Sequence, residues 1–93
     1  MTPAAPRSKI THVAIRFDGV VYSLPQPHRH HHVIRMIVEM TNVATVDNDE
    51  QGFLDESGHF LDRVEALASA RLFGQIKDET DIRAGQLFSE DLW

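Results

Sequence analysis

The sequence has no cysteine among its 93 residues. Disulfide bonds and thiolate metal sites are therefore excluded, and the composition fits a reducing compartment. No apolar run reaches the roughly 18 residues that a membrane-spanning helix requires. The first residues also lack the hydrophobic segment of a secretory signal, which predicts a short flexible N-terminal tail. These absences lead us to expect a small cytoplasmic protein that makes no contact with a membrane.

Basic residues are in the minority. The chain has 9 Lys and Arg against 14 Asp and Glu, so its formal net charge is −5. A general nucleic-acid-binding protein needs an excess of basic residues on one face, and this composition argues against that class. A local basic pocket stays open as a prediction, formed from some of the arginines Arg29, Arg35, Arg63 and Arg71.

Motifs that usually accompany catalysis are missing as well. The chain has no glycine-rich phosphate loop, no G-x-S-x-G nucleophile motif and no cysteine nucleophile. A His–Asp pair such as His59 and Asp62 would occur in almost any protein this polar. We therefore expect a protein that uses no cofactor and binds rather than catalyses, with a histidine-dependent enzyme left open as the alternative.

The clearest local signal is a β-hairpin centred on Asp18-Gly19. A two-residue Asp-Gly loop suits a type I′ turn, because glycine adopts positive φ freely and aspartate tolerates it. Folding the chain there opposes Phe17 with Val20 and aligns six apolar side chains on one face. We predict two antiparallel strands within residues 10–24.

A helix and an irregular segment follow the first hairpin. Two prolines end the second strand, and apolar spacing predicts a first helix over residues 28–40. A short strand is possible over residues 43–46. Residues 47–50 are acidic and predicted to form a solvated loop.

A second hairpin and helix are predicted in the second half of the chain. The hairpin covers residues 53–61. Asp62 with Glu65 three residues later is a capping-box pattern, which predicts a helix from Arg63 to Phe73. Gly74 then has the position of a residue that ends a helix in the left-handed conformation.

These elements predict an α+β fold, a small antiparallel sheet built from two β-hairpins with two α-helices on one side, in the order ββα-ββα. The length suits one domain. We expect residues 1–9 to be a flexible N-terminal tail and residues 10–93 to be a single α+β domain. In that domain, a loop over residues 76–86 precedes a C-terminal tail of residues 87–93.

The first candidate site is the basic cluster at the start of the first helix. Arg29, His30, His31, His32 and Arg35 lie where backbone N–H groups are free and the helix dipole is positive. Imidazole and guanidinium groups there would donate charge-assisted hydrogen bonds to a phosphate or another anion. The helical wheel, however, places His30 in the middle of the apolar arc. A buried, hydrogen-bonded structural histidine is therefore an equally open interpretation.

A metal site at the same place is a further alternative. His28 and His32 have the i,i+4 spacing of two ligands on one helix face. The helix need not extend back to His28, and no local carboxylate completes a ligand set. We therefore expect no metal.

The second candidate is the cluster of Arg63, Arg71 and Gln75 on the second helix. Arg71 lies near the centre of a face made by Val64, Leu67, Ala68 and Leu72, where an arginine must reach water, a carboxylate or a ligand. The plain interpretation is that its stem packs on apolar surface while the cation complements the helix C-terminus.

The opposite side of this helix is also apolar, with Ala66, Ala70 and Phe73. A helix that is apolar nearly all round predicts either complete burial or an interface between subunits. We therefore expect a homo-oligomer.

The third candidate is the C-terminal tail. Phe88 and Trp93 are suited to stacking on a purine, and Glu90 or Asp91 to accepting from ribose hydroxyls. The alternative is that Leu92 and Trp93 anchor the tail in the core or in a neighbouring subunit.

Several segments, taken together, resemble a family of small proteins encoded by tailed bacteriophages and prophages. The resemblance covers nearly the whole chain after residue 9. The segments are residues 29–35 (RHHHVIR), 51–53 (QGF), 58–66 (GHFLDRVEA), 74–75 (GQ) and 87–93 (LFSEDLW).

The size and phage setting of this family are similar to those of accessory proteins that blunt bacterial immunity. One such class sequesters the nucleotide second messengers of Thoeris-like or CBASS-like systems. The resemblance thus implies an anti-defence protein of the host cytoplasm that binds a cyclic nucleotide or ADP-ribose derivative without catalysis. A His- or metal-dependent phosphodiesterase or nucleotide hydrolase and a protein-binding inhibitor of a host factor are the alternatives. The expected ligand-binding residues are Arg29, His30, His31, Arg35, Arg71, Phe88 and Trp93.

Overall fold

Four strands form one antiparallel sheet in the order β2-β1-β3-β4, and a helix follows each hairpin. The predicted α+β fold is confirmed in a computed structural model that describes residues 8–44, 46 and 49–93. Two short 3-10 turns follow the second helix. The bounds are β1 (Ile10–Phe17), β2 (Val20–Pro25), α1 (His30–Thr41), β3 (Asp49–Asp55), β4 (Phe60–Asp62), α2 (Arg63–Leu72) and the 3-10 turns Glu79–Asp81 and Ser89–Asp91.

The first hairpin has the predicted turn and register. Asp18 has φ of 52° and Gly19 has φ of 78°, the left-handed values that a type I′ turn requires. Phe17 pairs with Val20 across the turn, and the same register continues to the far end of β2. Local sequence alone therefore determines this half of the sheet.

The strand β3 is longer than predicted. Asp49 and Glu50 were expected in a loop, but they pair with Phe17 and Arg16 of β1. The Arg16 Nη1 to Glu50 Oε1 distance is 2.9 Å. The loop prediction was wrong here because a cross-strand cation compensates for the weak strand propensity of acidic residues.

Both helices pack on one face of the sheet, α1 over β1 and β2, and α2 over β3 and β4. Their buried side chains join those of the strands in a single core. Its members are Ile10, Val13, Ile15, Val33, Ile37, Phe53, Ala66, Leu67, Ala70, Leu87 and Leu92.

The helix α2 buries a different face from the one predicted around Arg71. Its buried residues are Ala66, Leu67, Ser69 and Ala70, whereas Val64 and Leu72 are 61% and 65% exposed. The alternative that this helix is completely buried is therefore wrong. Small side chains let the helix approach the sheet closely, so the alanine side packs inward in place of the bulkier one.

The strand β4 passes very close to the Cα atom of Gly52 in β3. A Cβ atom on Gly52 would lie 2.2 Å from the Leu61 carbonyl oxygen and 2.7 Å from the Phe60 ring. The Arg16 guanidinium lies 4.4 Å from the centre of the same ring. Only glycine fits at this point of β3.

Both ends of α2 match their predicted signals. Asp62 Oδ1 accepts from the N–H groups of Val64 and Glu65 at 2.9 and 2.8 Å, and Glu65 Oε1 accepts from Asp62 N–H at 3.0 Å. At the other end, Gly74 N–H donates to Arg71 O and Gln75 N–H to Ala70 O. This is the pair of bonds that defines a Schellman motif.

Some predictions fall partly outside the described residues. Residues 1–7 of the expected tail and residues 47 and 48 of the expected loop belong to that part. Ser8 is buried, and its carbonyl accepts from the Ser69 hydroxyl. Within the possible strand over residues 43–46, the described residues 43, 44 and 46 are not in a strand. Among the described residues, neither helix has the length and apolar character needed to cross a membrane.

Candidate ligand-binding site

The C-terminal segment, residues 87–93, docks on the core and builds one end of the molecule. Leu87 and Leu92 are buried, and Leu87 N–H donates to Arg63 O at 3.0 Å. Asp91 is buried too, and its Oδ2 accepts from Phe88 N–H at 2.9 Å. These bonds turn the chain through the Ser89–Asp91 turn and set the positions of Phe88, Glu90 and Trp93.

Trp93 joins this segment to the start of α1. Its indole Nε1 donates to the His28 carbonyl at 2.7 Å. Arg29 Nη2 donates to the Trp93 carbonyl. Two of the predicted ligand-binding residues, Arg29 and Trp93, are therefore in direct contact although 64 residues separate them.

Phe88 lies between two arginines. The Arg63 guanidinium is 4.4 Å from the centre of the ring, and the Arg83 guanidinium is 5.4 Å from it. Both distances allow cation–π attraction. Because two guanidinium groups already contact the ring, Phe88 is less available for stacking on a base, the role predicted for it.

Arg63 is the most constrained of these cations. Its Nη2 donates to Gln51 Oε1, and no described residue accepts from its buried Nε. Burial lowers the pKa of Arg63, and the negative charges of Glu90 and Asp49 act in the opposite direction. Among the described residues, Arg63 Nε is therefore a buried donor that lacks an acceptor.

Glu90 is the carboxylate shared by two of the arginines. Its oxygens lie 3.9 Å from Arg29 Nη1 and 4.0 Å from Arg83 Nη2. We call Arg29, Arg63 and Arg83 the arginine cluster; each contacts the C-terminal segment. The cluster brings three arginines of an acidic protein to the C-terminal segment, where Glu90 lies close to two of them.

An open cavity lies beside Trp93. Its volume is about 450 Å³, and it is lined by Gln26, Pro27, Gln75, Leu92 and Trp93. Volumes of this size are in the range of small-molecule sites. The Gln75 amide is held in place by two hydrogen bonds of 2.9 Å to the backbone of Ile10. The cavity thus has one aromatic wall and polar amide groups, next to the residue that Arg29 contacts.

His30, one of the predicted ligand-binding residues, has the buried, hydrogen-bonded position that was left open as the alternative. Its ring is buried, its Nε2 donates to the Gly52 carbonyl at 2.8 Å, and it contacts the Phe53 ring edge-on at 5.0 Å. Burial lowers the pKa of His30, and the bond to Gly52 offsets this only in part. His30 therefore fastens the first turn of α1 to β3.

The other imidazoles lie outside the core at the same helix start. His32 lies 4.1 Å from His31 and 5.3 Å from His28, measured between ring centres. His32 Nδ1 accepts from Arg29 N–H at 2.9 Å. Partial removal from water and the nearby His31, His28, Arg35 and Arg29 lower the pKa of His32. His31 and Arg35 are exposed and extend the basic surface along the first turns of α1.

Arg71 points away from the core and pairs with an exposed carboxylate. Its Nη2 lies 2.9 Å from Glu79 Oε1, and its Nε donates to both oxygens of the same group. This bidentate bond raises the pKa of Arg71. The described contacts of Arg71 thus join α2 to the following loop, and they do not link it to the arginine cluster.

Sequence reasoning missed Arg83 altogether and had placed Arg63 with Arg71. Arg63 has no local partner in the sequence, because Phe88 reaches it only after the polar segment 76–86 has turned back. Arg83 lies within that segment, which has no periodic pattern to indicate its contacts with Phe88 and Glu90. Within the part of the chain that the structure describes, no group of three or more His, Asp or Glu residues has the arrangement of a metal site.

Comparison with protein families identifies the chain's relatives. It matches the family described as Phage T4 y16D protein over residues 9–93. Because this match covers nearly the whole chain, the chain belongs to that family, and the resemblance to a small phage protein family is confirmed. No curated protein and no solved structure matches it.

Proposed function

We propose that this member of the phage T4 y16D protein family binds a small phosphorylated ligand of the cyclic-nucleotide or ADP-ribose type. The observation that carries the proposal is the arginine cluster, in which Arg29, Arg63 and Arg83 come from three separate parts of the chain and meet at the C-terminal segment. Guanidinium groups gathered at one place repel one another, and a bound anion would offset that repulsion. A specific anion explains the arrangement.

Glu90 is a weak internal partner that a phosphate can displace. Charge-assisted hydrogen bonds between arginine and carboxylate are usually about 2.7–2.9 Å long. The distances of 3.9 and 4.0 Å to Glu90 are well beyond that range. A phosphate carries more charge and more acceptor oxygens than a carboxylate, so it gains more from Arg29 and Arg83.

The rest of the ligand is proposed to occupy the cavity beside Trp93. The indole offers an aromatic wall for a base, and the Gln26 side chain offers both a donor and an acceptor. His31 and Arg35 are exposed and add positive potential at the start of α1, where the helix dipole is also positive. In this proposal Phe88 orients Arg63 and Arg83, and His30 and Arg71 do not contact the ligand.

The proposed role is sequestration in the cytoplasm of the host, so that a nucleotide signal of the defence system cannot reach its receptor. The chemistry of the proposed contacts supports binding without turnover. The proposed contacts are with guanidinium, amide and indole groups, which are not the usual general acids or bases at neutral pH. Membership of a phage protein family supports a role in the infected host, which this proposal takes to be directed against host defence.

Isothermal titration against cyclic dinucleotides, cyclic ADP-ribose and ADP-ribose tests the binding. We expect at least one ligand with a Kd below about 10 μM. Arg29→Ala should weaken that binding at least about tenfold, since it removes a phosphate partner. Arg16→Ala is the matched control, because Arg16 is also an ion-paired arginine. It lies near the Phe17 end of β1, whereas Gln75 of the cavity beside Trp93 bonds to Ile10 at the other end. No binding to any member at about 100 μM, or equal losses in the two variants, would contradict the proposal.

The fate of the ligand separates sequestration from catalysis. The complex is incubated, the protein is denatured by heat, and the released small molecule is analysed by mass spectrometry. Sequestration predicts that the ligand is recovered unchanged and in amounts no larger than those of the protein. Recovery of a hydrolysed product would favour the phosphodiesterase alternative.

A second pair of variants tests the displacement of Glu90. Glu90→Gln removes the competing charge between Arg29 and Arg83, so binding of the titrated nucleotide should tighten about two- to tenfold. Glu50→Gln removes one acidic charge next to Arg16 and controls for net charge. A tighter complex in both variants would indicate a general charge effect and no specific site.

A further inference from the structure

We propose that two copies of this chain pair through their β2 strands, edge to edge and antiparallel, to form one continuous eight-stranded sheet. The strand β2 is an outer strand of the sheet, beside β1 alone. The proposal assigns to β2 the interface between subunits that sequence reasoning had sought on α2. It is independent of ligand binding.

The hydrogen-bond pattern shows which backbone groups of β2 point outward. Gln26 N–H donates to Thr11 O at 3.0 Å, which continues the β1–β2 register by one position. Bonded positions alternate along an antiparallel pair. Tyr22 and Leu24 therefore bond to β1, and the N–H and C=O groups of Val21 and Ser23 face away from it.

Of the features that usually protect an outer strand, β2 has the proline at its end, Pro25, and no charged residue. Its sequence is Val-Val-Tyr-Ser-Leu-Pro, and Val20 and Val21 are 50% and 43% exposed. Exposed edges of soluble proteins generally carry lysine, proline, a bulge or a very short strand to prevent pairing. An uncharged edge of six residues with exposed valines is suited to pairing with another strand.

The other outer strand, β4, provides the contrast within the same sheet. It has only three residues, Phe60–Asp62. Asp62 N–H already donates to Glu65 Oε1, and Asp62 brings a negative charge to that edge. The strand β4 is thus short and charged, as protected edges are.

Geometry selects one register for the β2 pair. If Val21 opposes Ser23 of the second copy, each residue exchanges two hydrogen bonds, and the two-fold axis passes between the two Tyr22 residues. A register shifted toward Pro25 would use the Pro25 carbonyl, which already accepts from His28 N–H and His28 Nδ1. Pro25 also has no N–H to donate. The bonds are therefore best satisfied with Tyr22 at the centre.

This arrangement makes the second copy the fitting occupant of the edge. An antiparallel strand pair is self-complementary about its centre, so both copies use the same residues. The two Tyr22 rings come together at a non-hydrogen-bonded position, where Cα atoms are about 4.5 Å apart and aromatic pairs are favourable. An uncharged edge also imposes no repulsion between two identical strands.

Sedimentation equilibrium of the full chain tests the dimer. We expect a species of twice the 10.6 kDa chain mass at about 100 μM. Ser23→Pro removes an outward N–H and leaves the β1–β2 bonds in place, so the dimer Kd should rise at least about tenfold. Ser23→Ala keeps the N–H and should remain dimeric. Circular dichroism checks that both variants are folded. If Ser23→Pro does not fold, the cross-linking of the cysteine variants described next tests the β2 interface in its place.

Single cysteines test the register, since the natural chain has none. Under mild oxidation Tyr22→Cys should give a disulfide-linked dimer, because its Cα lies about 4.5 Å from its symmetry mate. Val21→Cys should react much less, because the two Cα atoms would be more than about 7 Å apart.

Three results would overturn the proposal. They are a wild-type chain that is monomeric at about 100 μM, a folded Ser23→Pro variant with an unchanged dimer Kd, and equal cross-linking at positions 21 and 22. A dimer that resists Ser23→Pro but dissociates on Leu72→Glu would place the interface on the exposed side of α2 instead.

Discussion

The starts of the two helices differ in chemistry. At α2, Asp62 accepts from two backbone N–H groups and Glu65 bonds back to Asp62, so the first turn is capped and negatively charged. At α1, the first turn has no acidic residue and no side-chain oxygen at its N-cap, which is Arg29. A comparable bond runs from Arg29 N–H to His32 Nδ1.

The two helix starts are therefore stabilised in different ways, one by its own residues and one by contacts with distant residues. An acidic first turn is favourable because it opposes the positive end of the helix dipole, and a basic first turn is unfavourable by a similar amount. The start of α2 is thus stabilised by its own sequence. The start of α1 depends on contacts from elsewhere, namely His30 with β3 and Trp93 with His28.

The largest test of this difference is His30→Ala. It removes a buried ring and its bond to Gly52, so we expect a loss of about 2–4 kcal/mol in the free energy of unfolding. His31→Ala, one residue on and exposed, is the control and should change stability by less than about 0.5 kcal/mol. Urea denaturation measures both. Similar losses in the two variants would mean that the start of α1 is not held through His30.

The next effect in size is the loss of the α2 cap. Asp62→Ala leaves two helix N–H groups without their acceptor and should cost about 1–2 kcal/mol. Asp62→Asn retains an acceptor oxygen and should cost less. If Asp62→Ala were neutral in thermal denaturation, α2 would depend on packing alone and the contrast between the two helix starts would disappear.

A pH series examines His30 more finely. Because its pKa in the folded protein is lowered from 6.5, the unfolded chain binds more protons in this range. Stability contributed by neutral His30 is complete above pH 6.5 and is lost as the pH falls below it toward the lowered pKa. The slope approaches at most about 1.4 kcal/mol per pH unit for one group.

The variant His30→Gln should flatten that slope, although His32 retains a part in the same direction because its pKa is also lowered. The pKa of Asp78 is lowered from its ordinary value of 3.8, so Asp78 affects stability only below that pH and not between pH 5 and 7. A slope between pH 5 and 7 that persists unchanged in His30→Gln would assign the dependence to other groups.

Features fixed within a few residues were predictable from the sequence. The Asp18-Gly19 turn and the Asp62 cap depend on bonds across two or three positions, so their residue types are sufficient. The position of His30 on the apolar arc of α1 was also visible. Its partner was not, because the Gly52 carbonyl belongs to a strand 22 residues away.

The arginine cluster could be predicted only in part. Arg29 and Trp93 were both expected at the ligand, but their contact depends on the path of residues 76–93, which has no periodic pattern. The predicted orientation of α2 was wrong for another reason. Val64 and Leu72 are the bulkier apolar residues, yet Ala66 and Ala70 face the sheet because the helix lies close to it. The hydrophobicity of each residue type does not indicate how far the helix lies from the sheet.

The smallest effect is the most direct comparison of the two helix starts. His31→Glu places an acid in the exposed first turn of α1, as Glu65 does in α2, and should raise the free energy of unfolding by about 0.3–1 kcal/mol. Binding of any phosphorylated ligand should weaken in the same variant, because a negative charge now faces the anion. His31→Gln controls for loss of the imidazole without added charge. A gain in stability with unchanged binding would show that this helix start is merely suboptimal, and would leave the arginine cluster as the sole support for an anion site.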